Sequence, residues 1–219
     1  EIRNPLSSLD LNADLLRDEV ASDGSKEEAL LLLGAMQDEI ERLTRITEAY
    51  LRFARLPSPV LSVTHLHRVI TNTVDFMASQ LAELKIDVEL KLDANPDSAP
   101  FDREQMVQVL INLMRNAIQA MPDGGRIFIS TDRRDGLLTM RVTDTGSGIS
   151  SDSAASIFDP FFTTKSDGTG LGLAMVRQIC LAHGGNIQYI DRAVASNSGD
   201  AATGATFEIS IPVAKKEQI

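Results

Sequence analysis

Asn112 and Asn116 stand four residues apart in a run whose neighbours are Val109, Leu110, Leu113, Met114 and Ile118. On a helix that spacing places both amides on one face, beside an apolar core. Amide oxygens so placed can face a hard divalent cation, and Mg²⁺ needs few protein ligands when substrate phosphates complete its shell. Two capping or solvent-facing amides would show the same spacing, so the pair alone leaves both readings open. Asp144-Thr145-Gly146-Ser147-Gly148-Ile149 follows a run of strand character. A carboxylate there can accept a hydrogen bond from an exocyclic amine, and the glycines let a planar ring approach the backbone. An ordinary tight turn has the same pattern. Gly168-Thr169-Gly170-Leu171-Gly172-Leu173 opens a helical run. Glycines at a helix start expose unpaired N–H groups and the positive end of the dipole, which suits phosphate. The dinucleotide fingerprint would need Gly where Leu173 stands, and no Walker A pattern occurs.

The elements that must position these groups fall into two regimes. Over residues 1–56, Ile2, Leu6, Leu9, Ala13, Leu16 and Val20 recur at spacings of 4, 3, 4, 3 and 4, and Ala29, Leu33, Met36, Ile40, Leu43, Thr47, Tyr50 and Ala54 repeat the rhythm. The polar break Ser22-Asp23-Gly24-Ser25 makes this an antiparallel helical hairpin. One hairpin cannot cover two such seams, so pairing with a second copy into a four-helix bundle is expected. Leu56-Pro57-Ser58-Pro59 stops the second helix and serves as a hinge. Beyond it, helical spacing over 65–84, 102–121 and 171–183 mixes with strand alternation over 86–92, 126–132, 137–143, 186–189 and 206–212. Asp135-Gly136 reads as a hairpin turn, Asp102 as a helix cap, and 150–167 as a long loop. The predicted fold is α+β: the hairpin, then an α/β sandwich with helices on one face.

Composition narrows the function. The chain has 219 residues, with 21 Lys plus Arg against 31 Asp plus Glu, a net charge of −10. That balance argues against a phosphate-facing nucleic-acid binder. The longest apolar stretch is eight residues (29–36), too short for a membrane span, and the single Cys180 points to a reducing, cytoplasmic setting. The start at Glu1, inside a helical pattern and without Met, reads as a piece of something longer.

The three motifs occur in order within about 60 residues, with Ile157-Phe158-Asp159-Pro160-Phe161-Phe162-Thr163-Thr164-Lys165 between them and Thr203-Gly204-Ala205-Thr206-Phe207 after them. Together they resemble the N, G1, F, G2 and G3 boxes of the sensor histidine kinase ATP-binding domain. This is the Bergerat fold, shared with the gyrase and Hsp90 ATPases. Glu1-Ile2-Arg3-Asn4-Pro5-Leu6 resembles the end of the H-box, His-Glu-Ile-Arg-Asn-Pro-Leu, of HisKA-type dimerisation domains. Phe-Phe-Thr-Thr-Lys before the glycines is similar to the nitrogen-regulation kinase branch. The resemblance implies a dimerisation and phosphotransfer hairpin over 1–56, an ATP-binding domain over 57–214 and a tail over 215–219.

By the same resemblance, ATP and Mg²⁺ are the cofactors, a response regulator receiver domain is the partner, and the hairpin forms a homodimer. The acceptor His would immediately precede Glu1, which becomes the general base that orients and deprotonates it. Asn116 would ligate Mg²⁺, Asn112 would assist near the phosphates, and Asp144 would read the adenine amino group, with Thr206 as a second polar contact. Gly146, Gly148, Ile149 and Phe161 would line the pocket, and Gly168, Thr169, Gly170, Leu171, Gly172 and Leu173 would form the closing lid. Many relatives carry Lys where Gln119 stands; that Lys165 neutralises phosphate charge instead is an expectation from this chain's own residues and is not carried over from the family. Asn4 would align water against an aspartyl phosphate, making the enzyme bifunctional. His65, His67 and His183 read as structural histidines. Two alternatives remain open on the sequence: a non-catalytic nucleotide-binding scaffold and a Ser/Thr kinase on the same ATP fold.

Overall fold

The computed structural model describes residues 3–21, 25–165, 168–191 and 204–213. The chain divides into two compact units, Glu1–Leu56 with Thr163–Thr169, and Pro57–Phe162 with Gly170–Ile219.

In the first unit, α1 (Arg3–Ala21) packs on α2 (Lys26–Ala54). Ser25 starts α2 by accepting the Glu28 N–H, with Glu27 and Glu28 at the positive end of the dipole. Ile46 is buried in the hairpin, and Leu9, Leu16, Leu32, Met36, Leu43 and Phe53 are half-buried. Much apolar surface is left uncovered: Val20 is 70% exposed, Leu31 71% and Ile40 53%.

The second unit is built on a five-stranded sheet of β2 (Ile86–Leu92), β4 (Gly125–Arg134), β5 (Leu137–Asp144), β6 (Asn186–Ile190) and β7 (Thr206–Pro212), in the order β2-β4-β5-β7-β6. β2 runs parallel to β4, and the other pairs are antiparallel. Asp135 (φ 50°) and Gly136 (φ 75°) are both left-handed, the primed turn that matches the twist of the β4–β5 hairpin. Helices α3 (Leu66–Glu83), α4 (Arg103–Gln119) and α6 (Gly172–Ala182) pack on one face of this sheet. Leu66, Ile70, Phe101, Met106, Leu110, Leu113, Ile127, Ile129, Leu138 and Met140 fill the core between them. Each such side chain contributes about 1.5–3 kcal/mol when fully buried. On the opposite face Glu208 bonds Arg141 and, at 2.7 Å, Gln188.

Two elements depart from the sequence reading. β1 (Ser62–His65) and β3 (Ser98–Phe101) form a small antiparallel sheet, and α5 (Ser151–Ala154) is a single turn inside the expected loop 150–167. The three histidines have structural partners. Asp97 Oδ1 bonds His65 Nδ1 at 2.8 Å, and its Oδ2 accepts the His67 N–H at 3.1 Å. His67 Nε2 reaches the Thr131 hydroxyl at 2.9 Å. His183, 6% exposed, donates from Nδ1 to the Ile179 carbonyl at 2.8 Å and accepts the Asp102 N–H on Nε2 at 3.0 Å. Cys180 is buried in α6, which pushes its thiol up to about 12. Among the described residues no helix is long and apolar enough to cross a membrane.

Candidate functional site

α4 sets the amide pair. Asp102 caps it by accepting the Glu104 and Gln105 N–H groups at 2.9 and 3.1 Å, and Val109, Leu110, Leu113 and Met114 anchor its inner face. Asn112 and Asn116 lie at the flank of that face, half-buried. Asn112 Nδ2 donates to the Gln108 carbonyl at 2.9 Å, which turns Oδ1 towards α6. There a Cβ on Gly172 would lie 3.3 Å from Asn112 Oδ1, so the glycine start of α6 and the first Asn meet. Gln108 Nε2 likewise meets Met175 Sδ at 2.7 Å, one turn earlier on α4 and one turn later on α6.

Asn116 Nδ2 is buried with no hydrogen-bond partner among the described residues. A buried amide atom without a partner costs about 1–3 kcal/mol, so this position suits a ligand. Rotating the amide presents its oxygen there instead, the donor a Mg²⁺ ion takes.

Asp144 ends β5 and is 4% exposed. Its Oδ1 accepts the Gly146 N–H at 2.9 Å and the Ala205 N–H at 3.1 Å, fixing the glycine turn and the entry to β7 together. The turn docks on the end of α4, where the Ser147 N–H donates to the Ala120 carbonyl at 3.2 Å. A Cβ at Gly146 would sit 2.6 Å from that carbonyl oxygen, so only glycine permits this approach. Gly148 in turn abuts Gly204, and Ile149 is half-buried beside it. Asn helix, Asp turn and the Gly204–Thr206 strand entry are therefore one connected structure.

The base of the glycine segment closes between Phe161 and Gly170. The Phe161 N–H donates to the Gly170 carbonyl at 3.0 Å, and both residues have positive φ, 68° and 65°. A Cβ on Gly170 would collide with the Phe161 backbone. Leu171 is buried at 1% exposure and starts α6 without a side-chain cap, while Leu173 is half-buried. The first turn of α6 thus offers its N–H groups to a ligand. Thr163–Thr169 belongs to the other unit. Within it Lys165 is exposed, its N–H donates to Thr163 Oγ1 at 3.1 Å, and its carbonyl accepts the Gly168 N–H at 3.3 Å; Thr169 is half-buried.

Thr206 is not on Asp144's side of the sheet. It pairs with Thr143, and their hydroxyls bond at 2.9 Å. Side chains alternate along β5, so Thr143 and Asp144 face opposite ways. Ala205 is the residue beside Asp144, and it contributes its backbone. Sequence reading also missed an aromatic group on the Asp144 face. Tyr189 and Phe207 stand in register, with ring centroids 6.0 Å apart, and Phe158 meets Phe207 edge-on at 6.3 Å. Burial, then the charges of Asp191 and Asp144, raise the Tyr189 hydroxyl above its ordinary pKa. Strand alternation through Phe207 was the signal that could have found it. Glu1 lies outside the described residues; Asn4 belongs to α1.

With this geometry established, comparison with known proteins is specific. Residues 101–215 match the family described as histidine kinase-, DNA gyrase B- and HSP90-like ATPase, and residues 1–59 match the His Kinase A (phospho-acceptor) domain. The chain is 37% identical over 216 residues to the sensor histidine kinase ZraS of Escherichia coli K12, covering 97% of the chain and 43% of ZraS. It is 32% identical to sporulation kinase E of Bacillus subtilis, covering 97% of the chain and 27% of that protein. The chain therefore spans less than half the length of these relatives. Among solved structures, histidine kinase ThkA in complex with the response regulator protein TrrA superposes with TM-score 0.74 at 25% identity, over 100% of this chain and 60% of ThkA. The nucleotide-free ThkA catalytic domain matches at 32% identity and TM-score 0.61, over 70% of this chain and 95% of that one. On these matches the chain belongs to the histidine kinase family, as a catalytic core of the nitrogen-regulation-like branch.

Proposed function

We propose that the chain transfers the γ-phosphoryl group of ATP to a histidine immediately before Glu1, from which it passes to an aspartate of a receiver domain. The observation that carries this reading is the meeting of Asn112 with Gly172 beside Asn116, whose buried amide lacks a partner. Asp144, its Oδ1 held by two backbone N–H groups, would accept the adenine amino group. The uncapped N–H groups of α6 and the cation of Lys165 would hold the phosphates. Asn116, assisted by Asn112, would hold Mg²⁺, which when bound neutralises phosphate charge as the transfer proceeds.

Glu1 would accept the imidazole proton as the other ring nitrogen attacks phosphorus and the bond to ADP breaks. Asn4, one helical turn on, would align water against the aspartyl phosphate of the regulator. Replacing Asn4 with Ala should lower regulator dephosphorylation at least tenfold while leaving ATP affinity unmoved. Equal dephosphorylation by both proteins, followed with labelled regulator, would remove that role. ThkA, crystallised with a response regulator, supports a receiver domain as partner. The uncovered leucines of the hairpin support a homodimer. ATP as the phosphoryl donor and a receiver domain as the partner would support a cytoplasmic setting for the reaction.

Asp144→Asn removes a charge-assisted hydrogen bond worth about 1.5–3 kcal/mol, so ATP affinity should fall roughly tenfold to a hundredfold. Titration with a fluorescent ATP analogue measures it, and an unchanged Kd refutes the assignment. Supplying the upstream histidine and labelled Mg-ATP tests the reaction: acid-labile product is expected, acid-stable phosphate would indicate a Ser/Thr kinase, and no label a scaffold.

A further inference from the structure

Asp102 does more than cap α4. Its Oδ1 accepts the two helix amides, and its Oδ2 accepts the N–H of Val60 at 2.9 Å. Gln105, 5% exposed in the first turn of the same helix, donates from Nε2 to the Pro57 carbonyl at 2.9 Å. Both ends of residues 57–60 are thereby fastened to α4, directly after α2 has ended at its C-cap Arg55. The cap itself is backed from behind: the Asp102 N–H donates to His183, and His183 donates to the Ile179 carbonyl of α6. Pro57 and Pro59 have no N–H, so this segment has few backbone donors with which to hold itself.

The fastening is also incomplete in an informative way. Gln105 Oε1 is buried with no partner among the described residues. An amide recruited only for stability would satisfy both of its ends. The cost of that buried oxygen offsets part of what the two linker hydrogen bonds contribute. The fastening stands apart from the nucleotide contacts, since Asp102 precedes Asn112 by about 15 Å of helix.

We propose that Asp102 and Gln105 are positioning residues for phosphoryl transfer: by clipping residues 57–60 to α4 they confine bending between the hairpin and the ATP-binding domain to Arg55 and Leu56. The angles open to the hinge, and so the frequency with which bound ATP meets the acceptor histidine, then depend on the clip. This rests on the reading above and adds a control point to it.

The test uses the chain extended upstream through the acceptor histidine, as wild type and as two variants. Asp102→Ser keeps a helix-capping oxygen and loses the acceptor for Val60, while Gln105→Met keeps side-chain length and loses the donor to Pro57. Hydrogen exchange at Val60 should rise at least tenfold in Asp102→Ser. In both variants kcat for histidine phosphorylation should shift at least threefold, with KM for ATP within twofold of wild type. Unaltered Val60 exchange would overturn the proposal. Faster exchange with unchanged kcat would overturn it too, as would KM and kcat moving together, because that pattern marks a damaged nucleotide site. A wild-type chain that binds no ATP would overturn the functional reading itself, before any variant is made.

Discussion

Gly146 shows how one residue joins two motifs that lie far apart in the chain. Its missing side chain lets the Asp144 turn sit on the last carbonyls of α4, where a Cβ would be 2.7 Å from that of Ala120. Gly146→Ala must push either the turn or the helix end outward. We expect a loss of about 1–3 kcal/mol in stability, the usual cost of forcing atoms into a packed site, and weaker ATP binding through the displaced Asp144. Urea unfolding and nucleotide titration of the same variant check both. The types and spacing of Asn112, Asn116, Asp144 and the glycines at 168, 170 and 172 were legible in sequence because each sits at a helix face or an element end, where local geometry dictates the residue. The side on which Thr206 lies was not legible. That depends on the pairing phase of β7 against β5, which only the partner strand fixes.

Helix caps and strand ends carry the acid response of the ATP-binding unit. Burial alone would raise the Asp97 carboxyl, but the hydrogen bond from His65, the His67 amide and the charges of both histidines hold it below its ordinary value. Burial would raise the Asp102 carboxyl as well, but the amides of Val60, Gln105 and Glu104 outweigh it and hold the carboxyl low. A carboxyl whose folded pKa is depressed contributes stability that is complete above the unfolded value, about 3.9, and is lost as pH falls through the folded value. Denaturant midpoints should therefore drop between roughly pH 5 and pH 2, and Asp97→Asn should drop less steeply over that interval. An unchanged slope would remove Asp97 from the account.

The same scale shows where sequence reading stops. Ile86, Val88, Leu90 and Leu92 alternate cleanly and appear as β2. β1 and β3 have four residues each, Pro100 interrupts the second, and their pairing joins segments more than 30 residues apart. No local pattern announces such a contact. α5 is a single turn, shorter than one helical repeat of apolar residues can mark.

For the whole molecule, the hairpin leaves large apolar side chains uncovered, Val20, Leu31 and Ile40 among them. Ile40 and Leu43, with Thr44, Thr47 and Glu48, line a groove on α2. Leu30, Leu31 and Leu33 add exposed apolar surface near its start. We expect Ile40→Glu to shift the chain from dimer to monomer at micromolar concentration in analytical ultracentrifugation, with ATP binding retained because Asn112, Asn116 and Asp144 lie on the sheet unit. A variant that still sediments as a dimer would place the interface elsewhere. The sole cysteine has a practical consequence for watching this molecule work. Sealed inside α6 with its thiol held as SH, Cys180 will ignore maleimide dyes at neutral pH. A single reporter thiol engineered onto either side of the hinge can then be tagged alone, and its motion followed by fluorescence without touching the native chain.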